Sequence, residues 1–271
     1  MKRKIYLLVV VCLISIFLVS CENKYSFDSY LNVEFNEENI NFQGKTFSGL
    51  GDSLTALGSG NYYLDYVKDY LGLAEYTNCG VGGARICGSG ENAFWQDSRI
   101  NTLNDDSDYI TIMGGTNDVV MSLDVNDSDF VITNFDTDNF VGAYNVMLSK
   151  IYYKYLMQDT GYYDGDIDYS GVDQVTTAKN IKILIITPPK MFYNYAWTTG
   201  TEEFAGYVKR IADLWGIPCV DANSEMEIND INKDLYWTHQ TTPDYVHFSP
   251  LGHENLAMLI IDKLNRIEPL F

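Results

Sequence analysis

Ser53 sits in a Gly51-Asp52-Ser53-Leu54 run just after a short strand-like stretch, and His247 lies three residues after Asp244 in Asp244-Tyr245-Val246-His247. A serine hydroxyl is a weak nucleophile until a histidine takes its proton and a carboxylate holds that histidine in the right tautomer. These residue types can perform acyl transfer, with Ser53 as nucleophile, His247 as base and Asp244 as the carboxylate that orients it. The chain has three histidines, His239, His247 and His253. Only His247 has a carboxylate three residues before it, a spacing that lets the two side chains meet within one turn. His253, inside the expected last helix, is the competing base, and its expected role is structural. His239, beside Trp237, either lines a cleft or packs at the surface. Position 55 is threonine, so the run is not the Gly-x-Ser-x-Gly elbow of α/β-hydrolases.

Ester hydrolysis passes through a tetrahedral oxyanion, and fixed donors aimed at it are each worth about two to three orders of magnitude in rate. Two blocks can supply them. Asn78-Cys79-Gly80-Val81-Gly82-Gly83-Ala84 lets backbone approach a ligand and aim an N–H at it, or is simply a tight turn that needs glycine. Gly114-Gly115-Thr116-Asn117-Asp118 offers the side-chain amide of Asn117. The N–H groups of Ser53 and Gly83 and the Asn117 amide would make three donors.

Alternating strands and helices must bring these residues together. Short apolar or β-branched runs bounded by Gly, Pro, Asp or Asn predict strands at Thr46–Leu50, Tyr76–Cys79, Tyr109–Met113, Ile181–Thr187 and Pro218–Asp221. Helical periodicity predicts helices at Tyr62–Leu71, Phe140–Leu156, Glu202–Trp215 and Pro250–Ile267, the last with Ser249 as N-cap and Pro250 at the first helical position. This order implies an α/β fold, a parallel sheet with right-handed crossovers and helices on both faces. Ser53, Gly83, Asn117 and His247 each follow a strand, so all four should face its carboxyl edge. Two polar segments, Ser122–Asp138 and Asp159–Asn180, are expected as loops over or beside that edge. Acidic runs within them lack the glycine and closing glutamate of an EF-hand loop, so they read as solvated loops without a metal.

The four blocks, in this order, resemble the GDSL family in its SGNH-hydrolase form. The match is Gly51-Asp52-Ser53-Leu54, Gly83 in the Asn78-x-x-x-x-Gly83 block, Gly115-Thr116-Asn117-Asp118, and Asp244-x-x-His247, spanning about residues 45 to 265. The resemblance implies a three-layer α/β/α flavodoxin-like fold with a five-stranded parallel sheet of order 2-1-3-4-5, hydrolysis through an acyl-enzyme at Ser53, and no metal or other cofactor. It implies a triad of Ser53, Asp244 and His247 and an oxyanion hole of Ser53, Gly83 and Asn117. Ile185-Ile186-Thr187-Pro188-Pro189 also looks like the family's fourth strand and following turn. The chain departs from the family at Ser48-Gly49, small residues in a first strand that is usually bulky and apolar.

The 271 residues suffice for one well-buried domain, expected over residues 45–271 after a tether at 21–44. Residues 1–20, basic at Met1-Lys2-Arg3-Lys4 and then apolar, read as a signal peptide. Leu18-Val19-Ser20-Cys21 resembles the lipobox of bacterial lipoproteins, with Cys21 as the lipidated residue; an ordinary signal peptide or an uncleaved anchor is the alternative. Loss of Lys2, Arg3 and Lys4 takes the formal charge from −19 to −22, which disfavours nucleic acid as a partner and leaves a lipid anchor as the only expected membrane contact. Cys79 and Cys87 either pair across a loop or stay as buried thiols, and the odd count with Cys219 speaks against a disulfide framework.

The expected activity is thus an exported or surface-tethered esterase for short acyl groups, with acetyl esters of carbohydrate as the substrate. The basis is export, the family's habits and 21 tyrosines that could stack on sugars. A lipid or phospholipid esterase and a non-catalytic glycan-binding lipoprotein are the alternatives.

Overall fold

Five short runs, each too brief for a helix and rich in apolar or β-branched residues, form strands β1 Thr46–Gly51, β2 Glu75–Gly80, β3 Tyr109–Met113, β4 Lys182–Ile186 and β5 Cys219–Val220 in a computed structural model of the chain. The structure describes residues 41–56, 62–121, 123–156, 167–237 and 244–268. Cys21 and the whole of residues 1–40, His239, and residues 159–166 of the second polar loop lie outside them. Asn41–Phe271 groups as one unit.

All pairings are parallel and the order is β2-β1-β3-β4-β5. That is the expected 2-1-3-4-5 arrangement. Side chains alternate between the two faces. On one face, Ile110, Ile112, Ile183 and Ile185 pack with α4 (Phe140–Leu156) and α5 (Tyr195–Trp215). On the other, Phe47, Tyr109, Met113, Leu184 and Ile186 pack with α2 (Tyr63–Leu71) and α8 (Pro250–Ile267). The central strand β3 is buried along its whole length, as a sheet covered on both sides requires. Short helices α1 (Ser53–Ala56), α3 (Asp97–Ile100), α6 (Ala222–Glu225) and α7 (Lys233–Tyr236), with 3-10 turns at Asn117–Val120 and Asp127–Asp129, complete the described set.

The small residues of β1 have a packing reason. A Cβ on Gly49 would lie 2.7 Å from Leu64 Cδ2, so the missing side chain is what lets α2 settle on the sheet. Ser48, fully buried, shares a 2.6 Å hydrogen bond with Ser107 Oγ and accepts one from Asn104 N. A tighter contact lies next to Ser53. Any Cβ on Gly80, the last residue of β2, would overlap the backbone of Thr55 and Ala56, so α1 rests directly on β2 main chain to main chain.

Helix α5 starts at Tyr195, seven residues before the expected Glu202. Asn194 caps the helix by accepting from Trp197 N, and Thr198-Thr199-Gly200-Thr201 lies within its first turns. The hydroxyls of Thr198 and Thr201 donate to carbonyls one turn back, which satisfies them inside the helix. Helix α4 is buried nearly all round, and even its lysines are used: Lys150 pairs with Asp97 and Lys154 with Asp105, each at 2.6 Å. At α8 the expected cap is present, Ser249 Oγ accepting from Gly252 N at 3.1 Å. Cys79 and Cys87 are free and buried rather than paired. In the first polar loop, Asp129 accepts from Asn126 N and Asn139 Nδ2, so its carboxylate shapes the loop.

Candidate active site

Strand β1 ends at Gly51, and its carbonyl receives two donors, Val81 N at 3.0 Å and Arg99 Nη2 at 2.9 Å. Those bonds fix the strand end against the loop after β2. Asp52 follows and starts α1: its carbonyl accepts from Thr55 N and Ala56 N, and its Oδ1 accepts from Leu54 N at 2.9 Å. Ser53 is therefore the first residue of a helix held on both sides, with 9% of its surface exposed.

The histidine comes from the loop before α8. Asp244 Oδ1 accepts from Val246 N at 2.9 Å and His247 N at 2.8 Å, closing a tight turn around its own side chain. Tyr245 takes the strain of that turn, with φ of +58°, and its hydroxyl donates to Asp234 at 3.0 Å. The other carboxylate oxygen, Oδ2, stands 2.7 Å from His247 Nδ1. His247 Nε2 is then 3.2 Å from Ser53 Oγ, across 194 positions of sequence. One carboxylate thus both builds the turn and orients the ring. Partial burial works against its charge, but the N–H groups of His247 and Val246 and the imidazole outweigh this and hold Asp244 below the usual carboxylate range.

Gly83 has φ of +72°, a conformation that costs an L side chain and not glycine. The loop that carries it is tied down by a buried acid that the motif reading left without a role. Asp118 accepts from Ile86 N (3.0 Å), Cys87 N (3.1 Å) and Cys87 Sγ (3.2 Å). The preceding residue, Asn117, donates from Nδ2 to Ala84 O at 2.9 Å, while its contact with Asp52 Oδ2 is long at 3.4 Å. The structure therefore gathers Ser53 with Asp244 and His247, and Asn117 with the Gly83–Ala84 turn and Asp52.

Asp52 is fully buried, and that burial pushes its carboxyl up to about 7; the Leu54 N–H opposes the rise, Asp118 adds to it, and Thr116 and Arg99 oppose it. A folded-state value above the unfolded 3.8 means that the folded protein binds this proton more tightly. Its contribution to stability is full below about pH 4 and is lost as the pH rises toward 7, about 4 kcal/mol over that window. Asp52→Asn keeps the group neutral. Whatever constant cost the substitution carries, the variant's melting temperature should gain on the wild type by about 5 °C or more between pH 4.5 and 8. Parallel pH profiles in thermal denaturation would refute the buried proton.

Three residues that sequence reasoning missed are Asp118, Arg99 and Asp52 in this buried role. A charged residue directly beside Asn117 and another beside Ser53 were the available signals; Arg99 lies in no motif. His253 is fully buried, stacked near Tyr63 and edge-on to Phe248, with Nδ1 accepting from Tyr63 N at 3.3 Å. That is the expected structural role.

Residues 50–254 match the model of the GDSL-like Lipase/Acylhydrolase family. No curated protein matches the chain in sequence. Among solved structures, a protein from Lactobacillus plantarum is similar with a TM-score of 0.62 at 18% identity, over 84% of this chain and 99% of that one. A lipase/acylhydrolase from Enterococcus faecalis is similar with a TM-score of 0.55 at 19% identity, over 83% and 98%. The inhibitor-bound aryl esterase of M. smegmatis gives 0.55 at 16% identity, over 83% and 100%. At these identities the likeness speaks for the fold alone.

Proposed function

Because the chain belongs to the GDSL-like lipase/acylhydrolase family and is a carboxylic-ester hydrolase, we propose that it works through an acyl-enzyme at Ser53, with His247 and Asp244 as its partners. The observation that carries this is the continuous relay from Asp244 Oδ2 through His247 to Ser53 Oγ, 2.7 and 3.2 Å. Ser53 Oγ attacks the acyl carbon as its proton passes to His247 Nε2, and Asp244 stabilises the imidazolium through Nδ1–H. The oxyanion is received by the N–H groups of Ser53 and Gly83 and by the Asn117 amide, whose second hydrogen is only loosely engaged with Asp52. His247 then returns the proton to the leaving alkoxide. Water attacks the acyl-enzyme in the second half, with His247 again as base and Ser53 as leaving group.

The substrate we propose is a short acyl ester, acetyl on carbohydrate. Aromatic side chains on the segment that meets the Asp244–His247 turn, where Phe192 N donates to Tyr245 O, support it. Phe192 and Tyr245 flank Lys233, and Tyr193, 59% exposed, meets Trp197 edge-on, a surface on which sugar faces can stack. The same reading puts the enzyme outside the cytoplasm on a lipid at Cys21, supported by the sequence around that residue. Among the described residues no helix is long and apolar enough to cross a membrane.

The test is a series of p-nitrophenyl esters from acetate to palmitate. The expected kcat/KM falls by about tenfold or more between acetate and octanoate, since each methylene without a pocket weakens the transition state. A rate that rises with chain length would overturn the acetyl reading and leave the triad in place.

A further inference from the structure

A cavity of about 480 Å³ opens beside Gly83. It is walled by the loop Gly83–Ala93 together with Met121 and Asp138, and none of Ser53, Asp244 or His247 lines it. Its size falls in the range of small-molecule sites, about 300–1,000 Å³.

The backbone of this loop is held firmly. Ile86 and Cys87 donate to Asp118, Gly88 N to Thr137 O at 2.8 Å, Phe94 N to Arg85 O at 2.9 Å, and Trp95 Nε1 to Gly88 O at 3.0 Å. The side chains on it are the opposite. Arg85, Ser89, Glu91, Asn92 and Asp138 all line the cavity and are exposed, and among the described residues none of these five side chains has a hydrogen-bond or ion-pair partner. The frame loses little backbone order when a ligand binds, so the ordering cost is confined to the side chains that engage it.

The mixture of groups selects the ligand. An alkyl chain would strip water from five polar groups and give nothing back. A simple anion would face Glu91 and Asp138, and a simple cation would face Arg85. A neutral ligand rich in hydroxyls fits all of them: each hydroxyl can accept from Arg85 and donate to Glu91 or Asp138, with Ser89 and Asn92 doing either. Ala84, Ala93 and Met121 add an apolar wall for a ring's C–H face. We propose that this cavity is the subsite for a sugar ring of the ester's alcohol part, bonded through Arg85 and Glu91. This rests on the carbohydrate reading above. It is consistent with Gly83 as an oxyanion donor, since a carbonyl held at its N–H places the rest of the substrate at the cavity mouth.

The experiment compares the full-length protein with its Arg85→Ala and Glu91→Ala variants. Each is assayed on acetylated xylo-, gluco- and manno-oligosaccharides and on p-nitrophenyl acetate. In both variants the ratio of kcat/KM for the preferred sugar ester to that for p-nitrophenyl acetate should fall about tenfold, carried by KM, the loss of one charged hydrogen bond. An unchanged ratio, whether both activities hold or both fall together, overturns the subsite while leaving the carbohydrate reading intact. A wild type that hydrolyses p-nitrophenyl acetate and none of the sugar esters overturns the carbohydrate reading and the subsite with it.

Discussion

Ser53→Ala should lower kcat on p-nitrophenyl acetate by about 10⁴-fold or more. The proposed covalent route depends on one oxygen, Ser53 Oγ, which lies 3.2 Å from His247 Nε2. The remaining rate would come from oxyanion donors acting on water's own attack. Stability should hardly move. His247 is 23% exposed, so water can replace the lost contact, and α1 is fixed by Asp52 and by its seat on β2 rather than by the serine hydroxyl. The variant should therefore melt within about 1 kcal/mol of the wild type. A steady-state assay beside a denaturation curve checks both halves. If kcat stayed within tenfold, Ser53 could not be the nucleophile.

Asp118→Ala should reverse that pattern and reduce stability most. Its carboxylate is the acceptor for two buried N–H groups and a thiol, and the group itself is fully buried. Removing it orphans Ile86 N and Cys87 N in the interior, at about 1–3 kcal/mol for each unsatisfied donor. A loss of about 4 kcal/mol is expected in urea denaturation. The same bonds hold the loop that carries Gly83, so kcat should fall as well, by up to about the hundredfold that one misplaced oxyanion donor costs. An unaltered denaturation midpoint would show that the loop is secured elsewhere.

Much of this was legible because the proposed site residues and the sheet topology share one edge. Ser53, Gly83, Asn117 and His247 each follow a strand-like run, so the motif order and the expected strand order support each other. The Ser249-Pro250 start of α8 was legible for a local reason, a cap and a proline that need no tertiary context. Where the reading stopped short, the determinant was tertiary. The first turns of α5 lie before the amphipathic stretch from Glu202, and they are held by the Asn194 cap and by the Thr198 and Thr201 hydroxyls, bonds that exist only in the formed helix. Ser48 and Gly49 look wrong for a core strand until Ser107 and Leu64 are beside them. Lys150 and Lys154 are charges on a helix that proves buried on nearly every side, and their acidic partners lie about 50 residues away in sequence. Asp118 and Arg99 hold backbone through folded-state bonds that carry no sequence period.

The bare contact of Gly80 with the backbone of Thr55 and Ala56 has a consequence for how this enzyme can diverge. The seat of Ser53 is set by main chain on main chain, by the capping carboxyl of Asp52 and by the side chains of Arg99 on Gly51 O and Asn78 on Thr55 O, which belong to α3 and β2 rather than to the surrounding loops. Under the proposed assignment, mutations at the cavity mouth would change what is recognised while leaving Ser53 Oγ in place. A lineage could therefore drift from one ester to another through neutral intermediates that stay active throughout. Gly80 itself should be among the least replaceable positions in the chain.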